Sequence, residues 1–191
     1  MDLLLLRHGE TEWNLTGRMQ GLSDTRLTQS GIEQARQALT SLPTFSQVWT
    51  SPLQRARLTA EAIADSQSIP CWVDERLIER SWGAWEGMLP KDVDQKWPGW
   101  RESGRKPDGY EHDESVFSRF LDWRDAITYD DSSTPLVAVT HGGFMSAVVR
   151  ILGGSDSGYK NLEGVWIGGF EERPFIRRHE EFIPNARKLT R

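Results

Sequence analysis

Four consecutive leucines, Leu3 to Leu6, run directly into Arg7-His8-Gly9. A histidine beside a cation has its charged form disfavoured, so a neutral imidazole with a free lone pair is expected at position 8. Such a lone pair can attack phosphorus. Arg7 offers planar, paired donors to phosphoryl oxygens, and Gly9 lets backbone approach closely at that point. An isolated Arg-His pair more often marks a strand-end histidine meeting solvent. The chain, however, carries a second group of the same character, Thr140-His141-Gly142-Gly143, after the apolar run 136–139.

These groups need elements to position them. The run at Leu3 to Leu6 is too short for a helix and too apolar for an exposed strand, so it reads as a buried strand emptying into a loop. Segments 45–50, 71–73 and 136–139 read the same way, and two last strands are expected near 165–170 and 175–182. Helices are expected from Thr28 or Ser30 to about Leu42, after Ser51-Pro52, over 113–127 and over 144–152. Ser51 is expected as N-cap and Pro52 as first helical residue. Residues 77–87 read as irregular.

Segment 88–109, rich in Pro, Gly, Trp, Lys and Arg, reads as an insertion over a site. The expected fold is therefore a three-layer α/β domain. It has a mainly parallel central sheet, helices on both faces, and a small cap-like insertion at about 88–128 of a single domain 1–191. In such sheets ligands bind beyond the carboxyl ends of the strands. Arg7-His8, Ser51 and His141-Gly142 each directly follow an expected strand, so they should converge on one crevice.

Composition narrows the function classes. The 191 residues are 37% hydrophobic and 27% charged, which suits a globular domain with its own core. The formal charge of -5 gives no basic field for nucleic acid or anionic lipid. No stretch approaches the roughly 20 apolar residues of a membrane helix. Neither a nucleic-acid nor a membrane partner is expected. The single cysteine, Cys71, excludes an internal disulfide framework. The start lacks the basic stretch and long apolar run of a signal peptide, so cytoplasmic residence is the expectation. No carboxylate cluster for Mg²⁺ is evident near the strand ends, so neither metal nor cofactor is expected and arginines must stabilise the charge.

Leu6-Arg7-His8-Gly9-Glu10-Thr11 resembles the signature of the histidine phosphatase superfamily, which includes the cofactor-dependent phosphoglycerate mutases. The likeness continues through Trp13-Asn14, Arg18-Met19-Gln20-Gly21, Asp24, Leu27-Thr28 and Gly31 to Gln34-Ala35. It resumes at Ser51 to Ala56 with Thr59-Ala60, at Glu79 with Gly83 to Gly87, and at Thr140 to Gly143. The resemblance implies that His8 is phosphorylated and that Arg7, Arg55 and His141 surround the phosphoryl group. Asn14 and the Gly142 amide would donate further hydrogen bonds. Gln20 and Gly21 would touch the substrate at the rim, and Glu79 would protonate the leaving oxygen, with Glu75 and Glu86 as its competitors. Glu10 would orient its neighbours. The Gly-Gly pair after His141 resembles the mutase-and-phosphatase branch rather than the acid phosphatase and phytase branch.

The function so implied is a metal-independent phosphomonoesterase on small-molecule phosphomonoesters, working through phospho-His8. A phosphoglycerate mutase is the alternative. A phosphate-binding module without catalysis is the second alternative. The segment between Glu79 and His141 is short for a mutase, although Glu79-Arg80 fits that pattern. Six of the nine tryptophans lie between positions 72 and 123. They read mainly as packing, or as an aromatic wall under the insertion. Arg101, Arg105 and Lys106 are candidates for a second anionic group of the substrate, whereas His112 and His179 read as structural or exposed.

Overall fold

The computed structural model describes residues 1–128, 133–170 and 172–183; the last eight residues of the expected domain lie outside these. Six strands form one sheet: β1 (Leu3–Arg7), β2 (Gln47–Thr50), β3 (Cys71–Val73), β4 (Leu136–Thr140), β5 (Glu163–Gly168) and β6 (Phe175–Glu181). Their order across the sheet is β3-β2-β4-β1-β5-β6. The first four are mutually parallel, and β5 and β6 add antiparallel pairs at one side.

Strand β1 is central and apolar because both its faces are covered. Leu3 and Leu5 point into one core, and Leu4 and Leu6 into the other, as the two-residue period requires. The first core is closed by α5 (Asp113–Ala126) and α6 (Gly142–Ile151), through Val116, Phe120, Trp123, Phe144 and Val148. The second is closed by α2 (Gln29–Ala38) and α3 (Gln54–Gln67), through Ala38, Ala56, Ala60 and Ile63.

Several elements differ from the sequence expectation. Helix α1 (Glu12–Thr16) is a single short turn that the sequence reading left out. Thr11 and Asn14 nucleate it, each side chain accepting from the other's amide. Helix α3 begins at Gln54 rather than at Pro52. Its first amide is served from a distance by Asp24 Oδ1 at 2.7 Å, while the Ser51 hydroxyl accepts from Leu53 N.

The expected insertion divides into two parts. Residues 90–96 form α4 (Pro90–Lys96), with Pro90 in the first turn and Val93 buried. Helix α5, by contrast, belongs to the main core through its buried face.

Candidate active site

Because β4 lies between β1 and β2, the carboxyl ends of these parallel strands deliver His8, His141 and Ser51 to one crevice. Above it opens a cavity of about 650 Å³. The loop carrying His8 is pressed against α2 with no room for side chains between. A Cβ on Gly31 would stand 2.1 Å from Glu10 O, and one on Gly9 would stand 2.6 Å from Gly31 O. Glu10 accepts from the Thr28 hydroxyl at 2.8 Å and so ties the loop to the helix cap.

His8 is 2% exposed yet lines the cavity. Its Nδ1 lies 2.6 Å from Gly9 O. A carbonyl only accepts, so the proton sits on Nδ1 and the lone pair on Nε2. Burial, then the charges of Arg55 and Arg7, hold the imidazole well below its ordinary pKa. The backbone around it is also fixed. Asn161 Nδ2 donates to His8 O at 2.9 Å, and Thr59 Oγ1 accepts from Gly9 N at 3.1 Å.

Arg55 is fully buried, and three of its five N–H groups are committed. It donates to His141 Nδ1 at 3.2 Å, to Ser23 O at 2.6 Å and to Gly21 O at 2.9 Å. Two N–H groups remain for a ligand. Burial lowers its pKa to about 10, so it stays cationic. Arg7 donates to Tyr159 O, and its buried Nε has no partner among the described residues.

Asn14 accepts from Thr11 N, Thr11 Oγ1 and Asn161 Nδ2 at 3.0–3.1 Å, which turns its own NH₂ away from them. The Gly142 amide, at the first position of α6, has no hydrogen bond among the described residues. A helix start of this kind attracts an anion.

Glu79 is held by two backbone amides, Arg80 N at 2.8 Å and Gly143 N at 2.9 Å. A Cβ on Gly143 would stand 2.8 Å from Glu79 Oε1, so glycine there keeps the carboxylate in place. Glu86, a competing acid, is instead engaged by Ser23 Oγ and Leu22 N, where it holds the 20–23 loop.

The cavity brings together Arg7, His8, Asn14, Gln20, Arg55, Glu79 and Gly142. It leaves out two residues of the expected set. Gly21 is buried and serves Arg55 through its carbonyl. His141 packs edge-on against the His8 ring, with centroids 5.2 Å apart, and both its nitrogens are occupied. Nδ1 accepts from Arg55, so the proton is on Nε2 and is donated to Ser51 Oγ at 2.7 Å.

Several lining residues were not singled out by the sequence. Tyr110, Asp113, Ser146, Arg150 and Tyr159 form the outer wall with Arg80, together with His112, which the sequence reading set aside. Trp82 is the one tryptophan in this lining. Arg101 pairs with Asp94 and Arg105 lies over Trp100, while Lys106 faces the cavity. His179 stacks on Tyr159 from outside.

Two buried histidines tie stability to pH. Burial, then the Arg55 charge, holds His141 as well as His8 below the ordinary range. Below about pH 6.5 the unfolded chain takes up a proton on each, and the folded protein does not. Stability from these groups is therefore present above pH 6.5 and lost as pH falls. Denaturant titrations should therefore show stability falling between pH 7 and 5.5, and His8→Ala should make that fall smaller. Equal stability at the two pH values would contradict the neutral assignment.

What the arrangement can do chemically is hold a phosphoryl group between arginines and a helix start, in line with an imidazole lone pair, beside a carboxyl group able to move a proton. Comparison with known proteins gives the family. The chain belongs to the histidine phosphatase superfamily (branch 1), whose model matches residues 3–164.

It is 32% identical to phosphoserine phosphatase 1 of Hydrogenobacter thermophilus over 95% of this chain and 87% of that protein. It is 38% identical to a glucosyl-3-phosphoglycerate phosphatase of Mycolicibacterium vanbaalenii, over 78% of this chain and 73% of that one. A probable phosphoglycerate mutase of Enterobacter sp. is 33% identical over 80% and 74%. Among solved structures, a mycobacterial glucosyl-3-phosphoglycerate phosphatase in complex with VO₃ superposes with a TM-score of 0.80 at 29% identity. That match covers 92% of this chain and 96% of that one.

Proposed function

We propose that this chain is a metal-independent phosphomonoesterase acting on small phosphorylated molecules through phospho-His8. The observation that carries the reading is the His8 imidazole, neutral and with its Nε2 lone pair free, flanked by Arg7 and Arg55. Nε2 attacks phosphorus as the bond to the leaving oxygen breaks, and Glu79 gives that oxygen its proton. The carboxylate left behind takes a proton from water, whose oxygen attacks phospho-His8 and releases phosphate and the free histidine.

Arg7, the two uncommitted N–H groups of Arg55, the Asn14 amide and Gly142 N hold the equatorial oxygens. Gln20 faces the leaving group. His141 enters through Arg55, whose Nε–H it accepts, and Gly21 through the carbonyl that Arg55 meets. Cytoplasmic residence is part of this reading and rests on composition.

Among the described residues no group of three or more His, Cys, Asp or Glu side chains gathers where a metal could sit, and no helix is long and apolar enough to cross a membrane. Activity should persist in excess chelator and be inhibited by vanadate, which adopts the geometry of in-line transfer. Loss in chelator with recovery on adding Mg²⁺ or Mn²⁺ would show that the charge stabilisation lies elsewhere.

The mutase alternative draws on the cations of the outer wall, Arg80 and Lys106. Against it, Lys106 is the only residue of 88–109 in the cavity lining, so that segment makes little of a seal against water. The discriminating assay supplies 3-phosphoglycerate with catalytic 2,3-bisphosphoglycerate. Phosphate release should exceed formation of 2-phosphoglycerate, and the reverse would make the alternative correct.

A further inference from the structure

The loop that carries His8 is gripped from behind by the four residues that precede β5, Tyr159 to Leu162. Tyr159 O accepts from the Arg7 guanidinium, and Leu162 N donates to Arg7 O at 3.1 Å, so both ends of Arg7 are held by this segment. Glu163 N donates back to Lys160 O at 3.1 Å, which closes a turn with Asn161 and Leu162 at its tip. Leu162 takes a left-handed φ of +56° there, a turn position ordinarily given to glycine or asparagine. Its side chain is buried in the second core and meets Phe182 and Val139 among its neighbours in that cluster. A bulky residue stays in that region only where its surroundings compel it, and such strain gathers where a site must be held in place.

The strained turn aims the Asn161 side chain at the loop. One NH₂ group, Nδ2, donates to His8 O at 2.9 Å and to Asn14 Oδ1 at 3.1 Å. Both partners are carbonyl oxygens, which only accept, so this end of the Asn161 amide must be the NH₂. The constraint then passes to Asn14. Its Oδ1 also receives Thr11 N and Thr11 Oγ1, which leaves the Asn14 NH₂ for the cavity that Asn14 lines. On the other side of the nucleophile, His8 N donates to Thr140 O at 3.1 Å. Asn161 is not among the residues that line the cavity, yet it ties the residue bearing the lone pair to a donor for the group attacked.

We infer, resting on the phospho-His8 reading, that Asn161 is a positioning residue for phosphoryl transfer. Through its one NH₂ group it fixes His8 relative to the Asn14 amide, and so the line of attack on phosphorus. No atom of Asn161 meets the substrate. Its removal should therefore leave a folded protein that binds substrate and transfers slowly, because a misplacement of about 1 Å costs about 10²-fold in rate.

The test follows phosphoenzyme formation by rapid quench with ³²P-labelled p-nitrophenyl phosphate over a range of concentrations. In Asn161→Ala the maximal rate of labelling should fall about 10²-fold, with the half-saturating concentration moved by less than about threefold. A residue that served the fold alone would lower the unfolding midpoint and the fraction of active protein, and leave the rate per active site unchanged. Asn161→Asp keeps the shape but turns an acceptor toward two acceptors, and should be at least as slow. Adding Asn14→Ala to Asn161→Ala should cost at least about fivefold less than the product of the two single losses, because part of the Asn161 effect runs through Asn14. An unchanged rate, a loss confined to half-saturation, independent losses at Asn14 and Asn161, or failure of both Asn161 variants to fold overturns the inference. Absence of label on His8 in the native protein is a different result, and it counts against the phospho-His8 reading itself.

Discussion

His8→Ala will lower phosphate release by at least about 10⁴-fold, because a nucleophile cannot be replaced by groups that merely bind the substrate. Three other candidate nucleophiles among the described residues are not arranged to take its place. Both nitrogens of His141 are engaged, the Ser51 hydroxyl is used by His141 and Leu53 N, and Cys71 lies on edge strand β3 with its thiol pushed up to about 11. The fold should survive, since among the described residues the His8 ring makes one hydrogen bond, to the neighbouring Gly9 carbonyl. Arg7 and Arg55 remain, so the variant should still bind phosphate. Turnover within about tenfold of the native protein, in a preparation free of native enzyme, would remove His8 from the chemistry.

Glu79→Gln carries the second large effect, and its signature is the dependence on leaving group. Alkyl esters should slow by about 10² to 10⁴-fold, while p-nitrophenyl phosphate should slow far less, because an aryl oxide leaves without a proton. The comparison matters because the substitution also disturbs the site. Both Glu79 oxygens accept backbone N–H groups, from Arg80 and Gly143, and an amide would turn its NH₂ toward one of them. That misfit affects all substrates alike, so only the difference between the two classes reports proton transfer. Equal losses would leave Glu79 as a structural anchor. Glu86 is a poor substitute, being held by Ser23 Oγ and Leu22 N.

The parts of this site that could be read in the sequence are those built by short stretches of chain. Arg7-His8-Gly9 and His141-Gly142 announce themselves because a fully apolar strand stops and chemistry begins within one residue. Strand ends in a parallel sheet must then meet. Arg55 needed the resemblance, since an arginine on a helix is ordinarily solvated, and its burial comes from the loop carbonyls of Gly21 and Ser23. His141 illustrates the limit. Its place at a strand end was legible, but the orientation of its ring depends on Arg55 and Ser51 arriving from another strand and helix.

Asn161 and Tyr159 could not be found at all. They reach Asn14, His8 and Arg7 only because the antiparallel strand β5 returns alongside β1, and nothing local marks them. Lys106 was noticed as one of three cations in a segment read as an insertion over the site. Helix α4 and the pairing of Arg101 with Asp94 show which of the three was left to face the cavity.

The account turns on one covalent species. The most direct measurement mixes native protein with ³²P-labelled substrate, quenches within milliseconds and maps the bound label. A phosphoramidate on His8 is expected, stable in base and lost in acid, appearing before phosphate is released and absent from the His8→Ala protein. Label on a serine, an aspartate or His141, or turnover with no phosphoenzyme under conditions that would trap one, would contradict the central claim.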